Sequence, residues 1–433
     1  MSRRRGLSSF AWTLFDQALV SVGSFAVNIA LARLLPRSEY GTFAAVFVLV
    51  LLLQIVNVTV VSYPATLRLA AGDKGDRAPL VAGTLLFTAA TNLILSMSIA
   101  LSLAVFGESR LIPGVVFWFA AWQFQEALRR LLFAEFRYSA AIPGDAISYL
   151  GQAAGVGLLV AAGKLSLPAV FMVLGATSLL GAAVQMLQVG IPRAMPRHLL
   201  VRASEDWKLG FWSLIGSAVA ALRVQVLFWL VGITSGRADL AALQAVVNVV
   251  NVVNPIVTGV CNIVPQTAAR AARDGTASAW KATRAYVVFG LAPTAAYAVV
   301  AAAAPDSLMR IVYGAGSPYL ADGMAVRIMA IGLVLNYGAE MVCAFLHGLG
   351  APRLAWLMNL VSLVVVTCAF AALQPSFGWY AAVIAWPLGQ AVRVMMCPSV
   401  LKRAGMHVDG QCKLPLAPAE ARPVQVTPSS RLR

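Results

Sequence analysis

The chain has 433 residues, of which 60% are hydrophobic and 12% are charged, and its mean hydropathy is +0.79. A soluble domain carries about twice that share of charged residues, so the composition excludes an ordinary soluble protein. The formal net charge of +16 would suggest a nucleic-acid partner for a soluble chain, but uneven loop charge explains most of it in a membrane protein, and we expect no nucleic acid.

Apolar runs long enough to cross a bilayer recur along the whole chain, since a spanning helix needs about 20 residues. Backbone polar groups in lipid must be satisfied within each segment, so we predict bundled helices rather than barrel strands. The sequence predicts twelve spans, at 10–35, 40–62, 80–106, 112–134, 140–162, 166–190, 209–233, 239–265, 284–304, 323–347, 354–373 and 377–400.

Lysine and arginine set the predicted orientation. Of the 33 basic residues, 24 lie in the N-terminus, the tail and the loops on their side, six lie on the opposite side and three lie within spans. Basic loops stay in the cytoplasm, so we expect both termini there and the bacterial inner membrane as the location.

The two halves of the chain resemble each other weakly but in order. At an offset of 200 residues, "WTLFDQALV" (12–20) falls on "WSLIGSAVA" (212–220), and "PRSEYGTFAAV" (36–46) falls on "GRADLAALQAV" (236–246). Because six is even, duplicated halves would insert the same way round, related by a pseudo-two-fold axis along the membrane normal. We predict an all-α integral membrane protein of twelve transmembrane helices in two six-helix bundles, at 1–200 and 201–405, with a disordered cytoplasmic tail at 406–433.

Ionisable residues inside spans are costly in lipid and mark candidate functional positions. Arg223 lies near the middle of the seventh span. It either faces a central cavity and recognises an anionic group such as a phosphate, or pairs with an in-span carboxylate. Glu340 has no basic residue within one helical turn and is a second cavity candidate. Asp16 could bind a coupling cation or proton, or pair with a basic residue near the inner surface.

Four further in-span charges have local interpretations. Glu126 has Arg129 and Arg130 three and four residues later, so we predict local ion pairing. Asp145 is interpreted as the start of the fifth span, and Arg327 and Arg393 as residues close to span ends.

The eighth span carries a polar stripe. Its members recur at i, i+4, i+7 and i+10 and so share one helix face; they are Gln244, Asn248, Asn251 and Asn254. This face is predicted either to line a wet, substrate-binding cavity or to hydrogen-bond with a packed neighbouring helix.

Several segments resemble one known family in order. "LARLLPRSEYG" (31–41) after the first span, "EALRRLLFAEFRYSAA" (126–141), the eighth span with its following loop (240–272) and "LMRIVYG" (308–314) are similar to bacterial polysaccharide repeat-unit flippases. These are the O-antigen and exopolysaccharide transporters of the multidrug/oligosaccharidyl-lipid/polysaccharide exporter superfamily.

That resemblance implies a function. Such flippases move undecaprenyl-diphosphate-linked oligosaccharides from the cytoplasmic to the periplasmic leaflet by alternating access, using two bundles around a central, often cationic cavity. It implies the lipid-linked glycan and the bilayer as partners, with a polysaccharide polymerase and chain-length machinery as further candidates, and we expect a monomer. The family offers no fixed residue list, so the site candidates rest on the in-span polar groups.

Three other functions are alternatives. A cation-coupled drug or metabolite antiporter of the multidrug extrusion type would favour acidic cavity groups over a central arginine. A lipid II flippase usually has two additional spans. A polysaccharide polymerase or ligase carries a large external loop, whereas the longest predicted outer connection here is 305–322. With no Walker A motif and no metal-ligand spacing, we predict no enzyme activity, no cofactor and no metal.

Overall fold

A computed structural model describes residues 3–70, 77–190 and 199–410, and every regular element within them is helical. The first half contains α1 (Arg3–Leu34), α2 (Arg37–Val56), α3 (Tyr63–Ala70), α4 (Arg77–Val105), α5 (Ile112–Ala134), α6 (Tyr138–Asp145), α7 (Gly151–Ala161) and α8 (Leu167–Val189). The second half contains α9 (Leu199–Thr234), α10 (Arg237–Val250), α11 (Asn254–Ala271), α12 (Thr276–Ala303), α13 (Pro305–Tyr313), α14 (Gly323–Gly348), α15 (Pro352–Phe377) and α16 (Tyr380–Gly410).

Three of the twelve spans are interrupted helices. The second joins α2 to α3 through a π-helical turn at Asn57–Ser62, and the fifth joins α6 to α7 through another at Ala146–Leu150. The eighth changes from α10 to α11 through a 3-10 turn at Asn251–Val253. Pro255 follows that turn, and a proline removes a donor and clashes with the carbonyl four residues earlier, which explains the break.

The chain is a multi-pass membrane protein. Ten segments of the described residues are long and apolar enough to cross a bilayer. The other two predicted spans are α5 and the α6–α7 pair, which are fully helical. In α5 the mean hydropathy is lowered by Glu126, Arg129 and Arg130, and these three residues belong to one of the charged clusters described below.

Several helices extend beyond the predicted spans. The helix of the seventh span begins at Leu199 rather than at 209, and the helix of the twelfth continues to Gly410 rather than ending at 400. Residues 406–410 of the predicted tail therefore continue a helix, and 411–433 lie outside the described residues. A helix persists past the lipid because its backbone hydrogen bonds do not depend on an apolar surrounding.

The spans pack as two bundles, as predicted. In the first half α5 packs on α8 and α4, and α1 packs on α6 and α7; in the second, α16 packs on α14 and α15, and α12 packs on α11 and α14. The halves meet chiefly where α2 packs against α10 and α9. We use "outer end" for the end that bears the connections α1–α2, α4–α5, α7–α8, α9–α10 and α12–α14, and "inner end" for the opposite one.

An ion-pair network ties the α5–α6 connection to the first half at the inner end. Glu135 accepts hydrogen bonds from Arg77 and Arg137, and these arginines also donate to the carbonyls of Val189 and Gln188 at the end of α8. Partial burial alone would raise the pKa of Glu135, but the two arginines together lower it.

Candidate functional site

A buried polar cluster in the second half joins α9, α14 and α16. Arg223 donates to Glu340 at 2.8 Å, and Arg393 lies 3.0 Å from the same carboxylate oxygen. Gln390 accepts from both arginines, at 3.2 Å from Arg223 and 2.9 Å from Arg393. We call Arg223, Glu340, Gln390 and Arg393 the second-half cluster.

The second-half cluster carries more positive than negative charge, and some of its N–H donors have no acceptor within the cluster. Two arginines and one glutamate leave one formal excess positive charge, and the arginines are 4% and 0% exposed. The Nε atoms of Arg223 and Arg393 and the Nε2 atom of Gln390 are buried without a hydrogen-bond acceptor among the described residues. The side chain of Glu340 is 27% exposed and is the accessible member.

A second buried cluster lies in the first half, between α1, α5 and α6. Arg129 donates to Asp16 at 2.5 Å and lies 2.9 Å from Asp145. Glu126 makes the predicted local pairs, at 2.8 Å with Arg130 and 3.4 Å with Arg129. We call these five residues the first-half cluster.

The first-half cluster carries more negative than positive charge. Three carboxylates and two arginines leave one formal excess negative charge, and both Asp16 and Asp145 are fully buried. Asp145 also accepts hydrogen bonds from Gln125 and Gln185, at 3.1 Å and 3.0 Å. One oxygen of Asp16 has no donor within the described part of the chain.

The polar stripe of the eighth span divides at the helix break. Gln244 donates to Asn248 at 2.8 Å, and Asn248 donates at 2.8 Å to the hydroxyl of Tyr40 on α2, so this part bonds across the two halves. Asn251 and Asn254 are exposed.

The two halves approach each other closely at the outer end, where a glycine permits it. A Cβ atom on Gly41 would lie 1.8 Å from the carbonyl oxygen of Arg237, so α2 and α10 touch through their backbones. Together with the bond between Tyr40 and Asn248, this approach forms what we call the outer contact.

Further bonds seal the outer contact beside α1. Arg33 donates to the carbonyl oxygens of Ile311 and Val312 on α13, at 2.8 Å and 2.7 Å. Arg37 lies 3.8 Å from Asp322 and over the ring of Tyr319, at 5.2 Å from its centroid. Arg33 and Arg37, which run against the predicted inside-positive trend, thus hold the outer ends of the two halves together.

The structure locates each predicted site residue. Arg223 and Glu340 meet in one cluster, Asp16 pairs with Arg129 in the other, and Asn248 of the stripe bonds to Tyr40 of the first half. Sequence reasoning missed the central position of Arg393, Gln390 and Asp145. The sequence does contain a pattern that indicates two of them. Gln390 and Arg393 are three residues apart and share one helix face, as Glu126 and Arg129 do.

Comparison with known proteins identifies the fold. No protein-family model matches the sequence, and no curated protein is similar to it. A solved structure of an inward-facing multidrug resistance MATE family transporter of the MOP superfamily has a TM-score of 0.74 and 13% identity, covering 91% of this chain and 96% of that one. The chain has the MATE fold. It consists of twelve helices in two bundles, which confirms the predicted architecture.

Two further solved structures extend the comparison. An outward-facing MATE transporter of the MOP superfamily has a TM-score of 0.65 and 11% identity, over 93% of this chain and 96% of that one. A MOP superfamily transporter from Pyrococcus furiosus Vc1, reported with a binding pocket of reverse polarity, has a TM-score of 0.60 and 12% identity, over 91% and 95%.

Proposed function

We propose that this protein is an alternating-access transporter that moves an undecaprenyl-diphosphate-linked oligosaccharide from the cytoplasmic to the periplasmic leaflet of a bacterial inner membrane. The observation that supports this choice of substrate is the donor excess of the second-half cluster. An uncompensated charge buried in a membrane protein is costly, and an anion that binds beside it removes the cost. A diphosphate offers several oxygen acceptors, and arginine binds phosphate through paired N–H donors.

Glu340 controls access to these donors. Its carboxylate occupies one side of both arginines and its side chain is partly exposed, while Arg223 and Arg393 lie behind it. Arg223 lies on α9, and because α9 also packs against α2 of the first half, we place the proposed binding site on the side of the cluster that faces the first half. In the proposed cycle the headgroup binds in front of Glu340, and the exposed amides of Asn251 and Asn254 bind its sugars.

The arrangement of the halves supports an inner-end loading step. The outer contact, together with the bonds of Arg33 beside it, closes the outer end. The solved inward-facing MATE structure has the higher TM-score of the two conformations compared, 0.74 against 0.65. Substrate would therefore load from the predicted cytoplasmic side, and release would require the outer contact to open.

A second candidate is a cation-coupled drug or metabolite antiporter. The first-half cluster favours it, because three carboxylates around two arginines leave one negative charge that a proton or a metal cation would neutralise. The same cluster also fits the leading proposal, with Asp16 as part of a coupling site. The two candidates therefore differ in what the second-half cluster binds.

A deletion strain distinguishes the candidates. Loss of surface polysaccharide on deletion, restored by the native gene but not by Arg223→Gln or Arg393→Gln expressed at the native level, is the expected result. Arg327→Gln is the matched control, because Arg327 is an exposed in-span arginine that donates only to the carbonyl of Ala302 within the described residues. Normal polysaccharide together with altered sensitivity to cationic drugs would reject the flippase and favour the antiporter.

A further inference from the structure

An apolar groove with a volume of about 340 Å³ lies between the two halves at the outer end. It shares no residue with either charged cluster. Its walls come from α2 and α4 of the first half and from α9 and α10 of the second, and its main apolar lining residues are Val46, Leu49, Phe106, Phe228, Trp229 and Ile233. The volume falls in the range of small-molecule sites, about 300–1,000 Å³.

The groove opens towards lipid and fits within one leaflet. Phe106 and Ile233 at its mouth are 57% and 70% exposed, and a spanning bundle exposes large apolar side chains to lipid chains. Along α2 the lining runs from Thr42 to Leu49, which is about 10 Å at 1.5 Å per residue. Half of a bilayer hydrocarbon core is about 15 Å, so the groove extends through most of the outer leaflet.

Two arginines surround one carboxylate at the rim of this groove. Glu108 is buried and accepts from Arg237, and it lies 3.4 Å from Arg110. The two arginine side chains are 47% and 58% exposed, so both can bind a further anion. The rim therefore carries one formal excess positive charge at the depth of the lipid headgroups, where phosphates lie.

We propose that this groove binds an anionic phospholipid of the outer leaflet, with one acyl chain between the halves and the phosphate at Arg110 and Arg237. The apolar walls fit a hydrocarbon chain, and the excess positive charge favours a headgroup with net negative charge over a zwitterionic one. Because the walls belong to both halves, a lipid in the groove stabilises the closed outer end. This site is independent of which substrate the protein moves.

Native mass spectrometry of the purified full-length protein tests the site. The delipidated protein is titrated with phosphatidylglycerol and, separately, with phosphatidylethanolamine, and we expect the tightest single binding event with the former. Arg110→Gln should weaken that event about fivefold, as expected for one lost charge-assisted contact at a hydrated rim, while Arg237 keeps its bond to Glu108. Lys164→Gln is the control, because Lys164 is exposed at the outer end and does not line the groove.

A second variant tests the acyl-chain position. Ser102 lines the groove, so Ser102→Trp should fill it and abolish the tight event. Val105→Trp is matched on the same helix, because Val105 is 73% exposed and does not line the groove. Equal losses in Arg110→Gln and Lys164→Gln, or unchanged binding in Ser102→Trp, would overturn the proposal. Tighter binding of a polyprenyl diphosphate in the Ser102-sensitive site would overturn the assignment to phospholipid.

Discussion

The second-half cluster predicts that removing its arginine and removing its glutamate have different effects on stability. Arg223→Gln leaves Glu340 beside Arg393 at 3.0 Å, which is a neutral pair. Glu340→Gln leaves Arg223 and Arg393 buried together with no carboxylate between them. The first change removes the excess charge, and the second doubles it.

The expected magnitudes follow from that charge count. Leaving one buried charge without its partner costs about 3–5 kcal/mol, and Glu340→Gln does so to two arginines, so we expect about 5 kcal/mol of lost stability. Arg223→Gln loses its own hydrogen bonds without leaving a charge unpaired, which costs about 1 kcal/mol. In thermal unfolding of the full-length protein in detergent, Glu340→Gln should lower the midpoint by about 5 °C or more, and Arg223→Gln by about 1–2 °C.

The assay combines that unfolding midpoint with transport. Flipping of a fluorescent polyprenyl-diphosphate sugar is measured in proteoliposomes, and we expect Arg223→Gln to lose it despite its near-native stability. Glu39→Gln, the same chemical change at the start of α2, should leave both measurements unchanged. Equal destabilisation by Arg223→Gln and Glu340→Gln would refute the charge count. Normal flipping by Arg223→Gln would refute the role of the donor excess.

Three further substitutions test other parts of the structure. Arg129→Ala leaves two fully buried aspartates without their cation, so we expect a loss of at least about 3–5 kcal/mol, seen as a collapse in the yield of monodisperse protein that Arg129→Lys partly restores. Gly41→Ala would place a Cβ atom 1.8 Å from the carbonyl oxygen of Arg237. It should therefore reduce cross-linking between cysteines introduced at the outer turns of α2 and α10. Gly157→Ala is the control and should not reduce it, because a Cβ atom at Gly157 would have no neighbouring atom within 4 Å. Tyr40→Phe removes the hydroxyl that accepts a hydrogen bond from Asn248 at 2.8 Å. The ratio of open to closed protein in the same cross-linking assay should therefore rise about fivefold. An unchanged ratio would show that this bond does not hold the outer end closed.

The twelve spans could be predicted because an apolar run is a local property of the sequence. The second-half cluster could not, because Arg223 and Glu340 are 117 residues apart and meet only through the packing of α9, α14 and α16. The sequence predicts Arg393 too close to a span end for a related reason. Its helix continues to Gly410 in a polar segment that resembles a tail, so the arginine lies deeper in the bundle than its distance from the last apolar residue indicates.

The opposite imbalances of the two clusters suggest how substrate and ion are linked in the proposed transporter. The first half has one excess negative charge and the second half one excess positive charge, so the two clusters together are formally neutral. An anionic headgroup bound at the second-half cluster would make the summed charge negative, which favours a cation beside the carboxylates around Asp16. Binding of the anion therefore raises the affinity of the first half for a cation, and reciprocity requires the cation to raise the affinity for the anion by the same factor. Charged groups cost least in a membrane when they are compensated, so loading the anion and the cation together is favoured over loading either one alone.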